Sequence, residues 1–470
     1  MLSACVAFAA AALVVLVAIN RGAYDDGHLT SVMMVAAGHL PQTGDCDECF
    51  QPKLYYVVSG LLARAAFVDP ANRTAVRIVA QIVSGCAGLL TFWLGWRMLA
   101  ETAFSPRVRG MAFALFACNP SLIAMFVQAT NDAFAILFGS LVVLLTLRLV
   151  RTPLDHPLDP RAVALLALAC IAVSVSKATG LALSAAVAFL LVWRLAAGLR
   201  SGSGLRANTA ALAIFALPYL LTVPLLGGYA QNAMRGGTPV GIGVARSTPP
   251  GFFTDRPTGQ TGALGRTGVL SVVGGYLTLR PFDLFEVPWH RSGQDDLGSA
   301  RTSLWTQVFA RSHFVFFEQW PLQWLNETST VVLLGRAIFI LGWITTGFTL
   351  IGFGAAVVAV FKRQGAAAAW PAFWSEPGAA SILMSTALAA LIAFTYTYRN
   401  EGAMKPLYVY PALLCAVWAF AYGVSFVRAR VLPARAAIFD AAVGTSVVAV
   451  CGLYVAQLLT LVQTIVANGI

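Results

Sequence analysis

The chain has 470 residues, of which 58% are hydrophobic and only 11% charged, with a mean hydropathy of +0.75. A soluble domain carries about 25% charged residues, so the composition excludes a soluble enzyme and points to an all-α polytopic membrane protein. The net charge of +11 is not a nucleic-acid signal here, because translocation bias and anionic lipid headgroups gather Lys and Arg at membrane boundaries.

Taken in chain order, apolar runs of roughly 20 residues predict about eleven transmembrane helices, at 1–19, 78–99, 111–130, 133–150, 162–176, 179–196, 208–226, 332–361, 379–397, 407–427 and 437–465. The first run lacks a basic leader and is followed by "INRGAY", with no small-x-small cleavage site, so it reads as a retained span. When the spans alternate, the Arg and Lys of the short loops fall on one side: Arg97, Arg107 and Arg109; Arg148, Arg151 and Arg161; Arg194, Arg200 and Arg206; Lys362 and Arg363; Arg428, Arg430 and Arg435. The positive-inside rule makes that side cytoplasmic. The N-terminus is then inside, and two long loops, 20–77 and 227–331, face outward. The chain divides into an N-terminal membrane module (1–226), a large outer-face loop (227–331) and C-terminal membrane helices (332–470).

The first outer loop concentrates ionisable residues: Asp25, Asp26, His28, His39, Asp45, Asp47, Glu48 and Lys53. Its segments "DDGHLTSVMMVAAGHL" and "PKLYYVVSGLLARAAFV" carry apolar residues at helical spacing. They predict two helices near the membrane surface, with Tyr55 and Tyr56 suited to the headgroup level. His28 and His39 share a helix face unless Gly38 ends the helix. With Cys46, Glu48 and Cys49 they would suit a metal. A local disulfide, or free thiols, is the other reading of Cys46 and Cys49, since an extracytoplasmic loop allows the bond. The remaining six cysteines lie in spans and read as small core residues. The second loop is rich in Gly, Pro, Phe and Trp, which predicts an ordered cover without long continuous helices.

Further polar residues fall on the same outer side. Asp132 lies in the turn "QATNDAF", where Asn-Asp also serves plain turn chemistry. Lys177 lies in "SVSKATGL", and Arg399, Glu401 and Lys405 in "YTYRNEGAMKPLYVYP". Ionisable residues at membrane depth are costly and are functional candidates by default. Carboxylates with cations beside them suit one reaction class well. A carboxylate base activates a hydroxyl or amine acceptor, the acceptor attacks an anomeric carbon, and Lys or Arg neutralises a departing lipid phosphate. The competing reading of "YDDG" is a helix N-cap, since Asp there accepts backbone N–H bonds.

"AYDDGHL" resembles the F-D-E-x-H-F signature in the first outer loop of protein O-mannosyltransferases, and the related aminoarabinose transferases carry a D-E pair at the same place. Both belong to the GT-C superfamily of lipid-phosphate-sugar glycosyltransferases. By that resemblance Asp25 stands at the catalytic Asp, Asp26 at the second acid and His28 at the motif's His. "CFQPKLYY" is similar to a stretch ending P-P-L-Y-Y, with Lys53 in place of the second Pro. "ATNDAFA" resembles the acidic turn after the third span and makes Asp132 a second active-site carboxylate. "KPLYVYPAL" resembles a late R-Y-x-x-P motif in which Leu407 replaces the Arg, so Lys405 or Arg399 must supply the charge.

The resemblance implies a GT-C-like architecture and an inverting transferase. It takes a sugar from a polyprenyl-phosphate donor to a glycan, lipid or protein acceptor at the outer face of a bacterial inner membrane. Asp25 is the expected base, with Asp26 and Asp132 orienting. His28, Lys53, Tyr55, Lys177, Arg399 and Lys405 are the expected substrate contacts. No cofactor is established by the resemblance, and a divalent cation is left open. The rival is a transporter or flippase of a lipid-linked substrate, which should show two related halves with broken helices; none is visible in the sequence.

Overall fold

In the computed structural model the described residues are 2–20, 27–46, 48–201, 204–236, 239–240, 275–279, 281–282, 284, 303–317, 328–362, 372–397 and 405–469. Asp25, Asp26 and Arg399 lie outside them. Among the described residues there is no strand. The helices in order are α1 (Leu2–Ile19), α2 (His28–Ala36), α3 (Leu54–Ala65), α4 (Arg73–Ala100), α5 (Pro106–Ala117), α6 (Pro120–Phe126), α7 (Asp132–Leu149), α8 (Pro160–Ser174), α9 (Thr179–Ser201), α10 (Leu205–Leu226), α11 (Tyr229–Gly236), α12 (Leu304–His313), α13 (Ser329–Lys362), α14 (Glu376–Thr397), α15 (Leu413–Arg428) and α16 (Ala436–Ala467). The protein is an integral, multi-pass membrane protein.

Every drafted span falls on one of these helices, but they are not equally long. Among the described residues eight helices are long and apolar enough to cross a membrane, or nine when α5 and α6, bent by 53° to each other, are counted as one span. The first and fifth drafted spans are shorter apolar helices, Ala4–Ile19 and Pro160–Ser174. Fifteen residues of α8 rise only about 22 Å at 1.5 Å each, against about 30 Å of hydrocarbon. The bend between α5 and α6 has a local cause. Pro120 has no N–H to continue a helix, and the Asn119 side chain caps the restart by accepting from Leu122 N at 2.9 Å. Asn72, Ser105, Asp159 and Ser303 cap α4, α5, α8 and α12 in the same way.

The closest helix crossing is α13 on α15. A Cβ at Gly352 would sit 1.8 Å from the Ala419 carbonyl, and one at Gly423 would sit 2.0 Å from that of Phe348. Only glycines permit this approach, and without a hydrophobic drive between helices such contact is what holds membrane bundles together.

Charge marks one end of the bundle. Glu101 accepts from Arg148 at 2.8 Å and lies within 3.6 Å of Arg97 and Arg151, while Arg151 reaches Glu376 at 2.6 Å. Asp440 joins Arg428 at 2.9 Å to Arg107 at 3.7 Å. These are the arginines that the alternating spans assign to one side, and contact geometry now puts them at one end. Asp132 begins α7 and Arg148 nearly ends it, so about 24 Å of helix separates Asp132 from that charged end.

The two helices of the first loop exist. α2 and α3 pack on each other and on α4. Tyr55 and Tyr56 are fully buried, so they do not meet lipid headgroups as expected. The Tyr55 hydroxyl donates to the Ala80 carbonyl at 3.0 Å and meets Ser84 Oγ at 3.0 Å. The tyrosines are amphipathic, and their polar ends find partners inside the fold instead of in lipid headgroups.

Candidate active site

The site is built where α2, α3 and the turns α6–α7 and α8–α9 meet. α2 ends in a Schellman turn: Gly38 N–H bonds to Val35 O and His39 N–H to Met34 O, with Gly38 at φ +91°. A left-handed residue at this place is usually glycine. The turn sends exposed His39 away from buried His28, so the two histidines do not share a helix face. Cys46 and Cys49 form a disulfide. Two of the five ligands that a metal reading needs are thereby spent, and among the described residues no three His, Cys, Asp or Glu side chains converge as a metal site.

Asp132 and Lys177, both predicted from turns, form a buried ion pair through Asp132 Oδ1. Thr130 Oγ1 donates to the other carboxylate oxygen at 2.9 Å, and the Lys177 ammonium lies 5.3 Å from the centre of the Tyr408 ring. Both oxygens of Asp132 are therefore engaged within the fold.

Around this pair runs a hydrogen-bonded wall. His28 Nδ1 lies 2.7 Å from the Tyr56 hydroxyl. Asn131 Nδ2 donates to Gln51 Oε1 at 2.7 Å, to the Ser176 carbonyl at 3.2 Å and to the Tyr56 oxygen at 3.5 Å. Lys53 is buried and donates to the Cys49 carbonyl, and Leu54 N–H bonds to Val175 O at 3.1 Å. This ties the disulfide loop to the α8–α9 turn that carries Lys177. Burial pulls the Lys53 ammonium down to about 8, only partly opposed by Asp45.

The structure thus brings together His28, Asp132 and Lys177, whereas the Lys53 ammonium is held at the Cys49 carbonyl in the disulfide loop. Lys405 begins the short helical turn Pro406–Tyr408, whose Tyr408 faces Lys177. Tyr55 faces α4, its hydroxyl engaged there. Asp25 and Asp26 lie outside the described residues, with Asp26 two positions before His28 in the sequence. The sequence reading missed Tyr56, Gln51, Asn131 and Tyr408. Tyr56 passes for a lipid anchor and Asn131 for a turn residue, and their partners are far away along the chain.

This all-helical membrane fold, with a buried Asp–Lys pair at one end, has counterparts among solved structures. It is similar to that of the archaeal oligosaccharyltransferase AglB from Archaeoglobus fulgidus. The match to its apo form has a TM-score of 0.51 and 14% identity, covering 97% of this chain and 56% of that one. The match to the same protein in complex with an inhibitory peptide and a dolichol-phosphate has a TM-score of 0.50 and 16% identity, with the same coverage. The chain therefore spans about half the length of that archaeal protein. ArnT from Cupriavidus metallidurans bound to undecaprenyl phosphate aligns over 90% of this chain and 78% of that one at 15% identity, with a TM-score of 0.36 that carries no argument. No family model and no curated protein matches the sequence. At these identities the likeness is one of fold.

Proposed function

We propose that the protein is an inverting glycosyltransferase that moves a sugar from a polyprenyl-phosphate donor to an acceptor on the outer face of the cytoplasmic membrane. The observation that carries this reading is the buried Asp132–Lys177 pair, with His28 near it, at the end of the bundle opposite the arginine clusters. Asp25, next to this site in the sequence, takes the proton of the acceptor hydroxyl or amine. The acceptor atom bonds to the anomeric carbon, the bond from that carbon to the phosphate oxygen breaks, and polyprenyl phosphate leaves with the electron pair. Attack opposite the leaving group inverts the anomeric centre. Asp26 and Asp132 orient the acceptor and the base. Lys177 has three donor hydrogens, so it can serve an arriving phosphate while keeping Asp132. Lys53, Lys405 and Arg399 are the further cations proposed for that phosphate. An apolar cavity of about 400 Å³ lies between α9, α13 and α14 and reaches toward the arginine end, with Phe189, Val360 and Phe361 in its lining; only the far part of a long polyprenyl chain could enter it.

The test is release of free polyprenyl phosphate from a polyprenyl-phosphate hexose by the purified protein, with hydroxyl- and amine-bearing acceptors supplied. A protein that binds the lipid and carries it across vesicles without ever releasing the sugar is a transporter, and the proposal is then wrong.

A further inference from the structure

Asn131 occupies the N-cap position of α7 without capping it. An asparagine there ordinarily turns its side-chain oxygen onto the free N–H groups of the first turn. This one is fully buried and turned the other way, with Nδ2 spent on Gln51, Ser176 and Tyr56. The Ser176 carbonyl can only accept, which fixes the amide orientation. Its Oδ1 then has no hydrogen-bond partner among the described residues. The chain gives up a cap and also leaves a desolvated acceptor, and each is unfavourable on its own. The next residue is Asp132, whose two oxygens are engaged by Lys177 and Thr130. Asn131 Oδ1 is thus an unused acceptor on the residue that precedes the ion-paired Asp132.

An acceptor repels the oxygens of an ionised phosphate and needs an O–H or N–H. We propose that Asn131 accepts, through Oδ1, a hydrogen bond from a hydroxyl of the donor's sugar. The inference rests on the transferase reading above and adds to it. Asn131 distinguishes the sugar-bearing lipid from the bare polyprenyl phosphate left after transfer, so the contact is lost as the product forms and release is favoured.

The test measures binding of polyprenyl-phosphate hexose and of bare polyprenyl phosphate to the purified protein. Asn131→Ala should weaken the sugar-bearing lipid by about tenfold, the scale of one hydrogen bond, and leave the bare lipid unchanged. Gln51→Leu, which cuts the same network on the Nδ2 side, should not discriminate between the two lipids. Equal weakening of both lipids by Asn131→Ala, or no change in either, overturns the assignment. Normal binding of both with a raised acceptor KM moves the hydroxyl to the acceptor and contradicts it. If Asn131→Ala does not fold, monodeoxy hexosyl donors read the same contact in the unsubstituted protein. One deoxy position must cost about tenfold, and a flat series overturns the proposal. An unsubstituted protein that binds neither lipid sinks the transferase reading itself, which no variant is needed to see.

Discussion

At the scale of single residues, the Asp132–Lys177 pair makes a sharp claim about stability and activity. Breaking a buried ion pair by removing one partner costs about 3–5 kcal/mol, whereas replacing both by apolar groups is often neutral. Asp132→Asn or Lys177→Met should therefore lower the melting temperature clearly. The double variant Asp132→Leu, Lys177→Met should regain most of it and still lack transfer activity. Recovery of both together would make the pair purely structural. Lys53 gives a pH test. Its folded pKa of about 8 lies below its ordinary 10.5. Below pH 8 both states are protonated and the full cost of burying the cation is present. Between about 8 and 10.5 only the unfolded state holds the proton, so stability rises with pH. Lys53→Met should stabilise at pH 7, with an advantage that shrinks across that window. Donor affinity of the unsubstituted protein should fall as pH rises through about 8, since the neutral amine no longer attracts phosphate. A pH-independent affinity over that range would remove Lys53 from the phosphate site.

At the scale of elements, one histidine ties α12 to two other helices of the bundle, beside the Asn119 and Phe309 contacts. His313 Nε2 lies 2.9 Å from Thr346 Oγ1 of α13, and Nδ1 bonds to the Tyr454 hydroxyl of α16. Burial pushes its pKa down to about 4 from 6.5. Below pH 6.5 the unfolded chain takes up a proton that the folded one resists, so the stability His313 contributes above that pH is lost as pH falls through about 4. Thermal unfolding from pH 7 to 4 should show this loss, and His313→Gln should flatten it; an unchanged slope would remove His313 as its source. This latch was not legible in "ARSHFVFF", because both partners lie in spans that read only as apolar runs. The helical spacing of α2 and α3 was legible, but their burial was not: it depends on α4, whose Ala80 carbonyl and Ser84 receive Tyr55. Asp132 and Lys177 could be picked out because charge in a membrane protein is conspicuous. Asn131 and Gln51 could not, because uncharged amides in turns look like turn chemistry.

At the scale of the whole molecule, the spans and their common basic side were readable from hydropathy and arginine placement alone, and the two ion-pair clusters at one end agree with them. The orientation of that end has a direct measurement. After mild reduction in intact cells, a membrane-impermeant thiol reagent should label Cys46, which is partly accessible. Labelling only after the membrane is broken would put the candidate site in the cytoplasm. The central claim is that the acid pair ahead of α2 performs catalysis at this site, and one substitution tests it most directly. Asn matches Asp as a helix cap but has negligible basicity. Asp25→Asn protein should keep its melting temperature and its affinity for a polyprenyl-phosphate sugar, and lose turnover by about 10²–10⁴-fold, the usual contribution of a general base. A stable Asp25→Asn protein that transfers sugar at the unsubstituted rate would show the acid pair to be no more than the start of a helix, and would contradict the account.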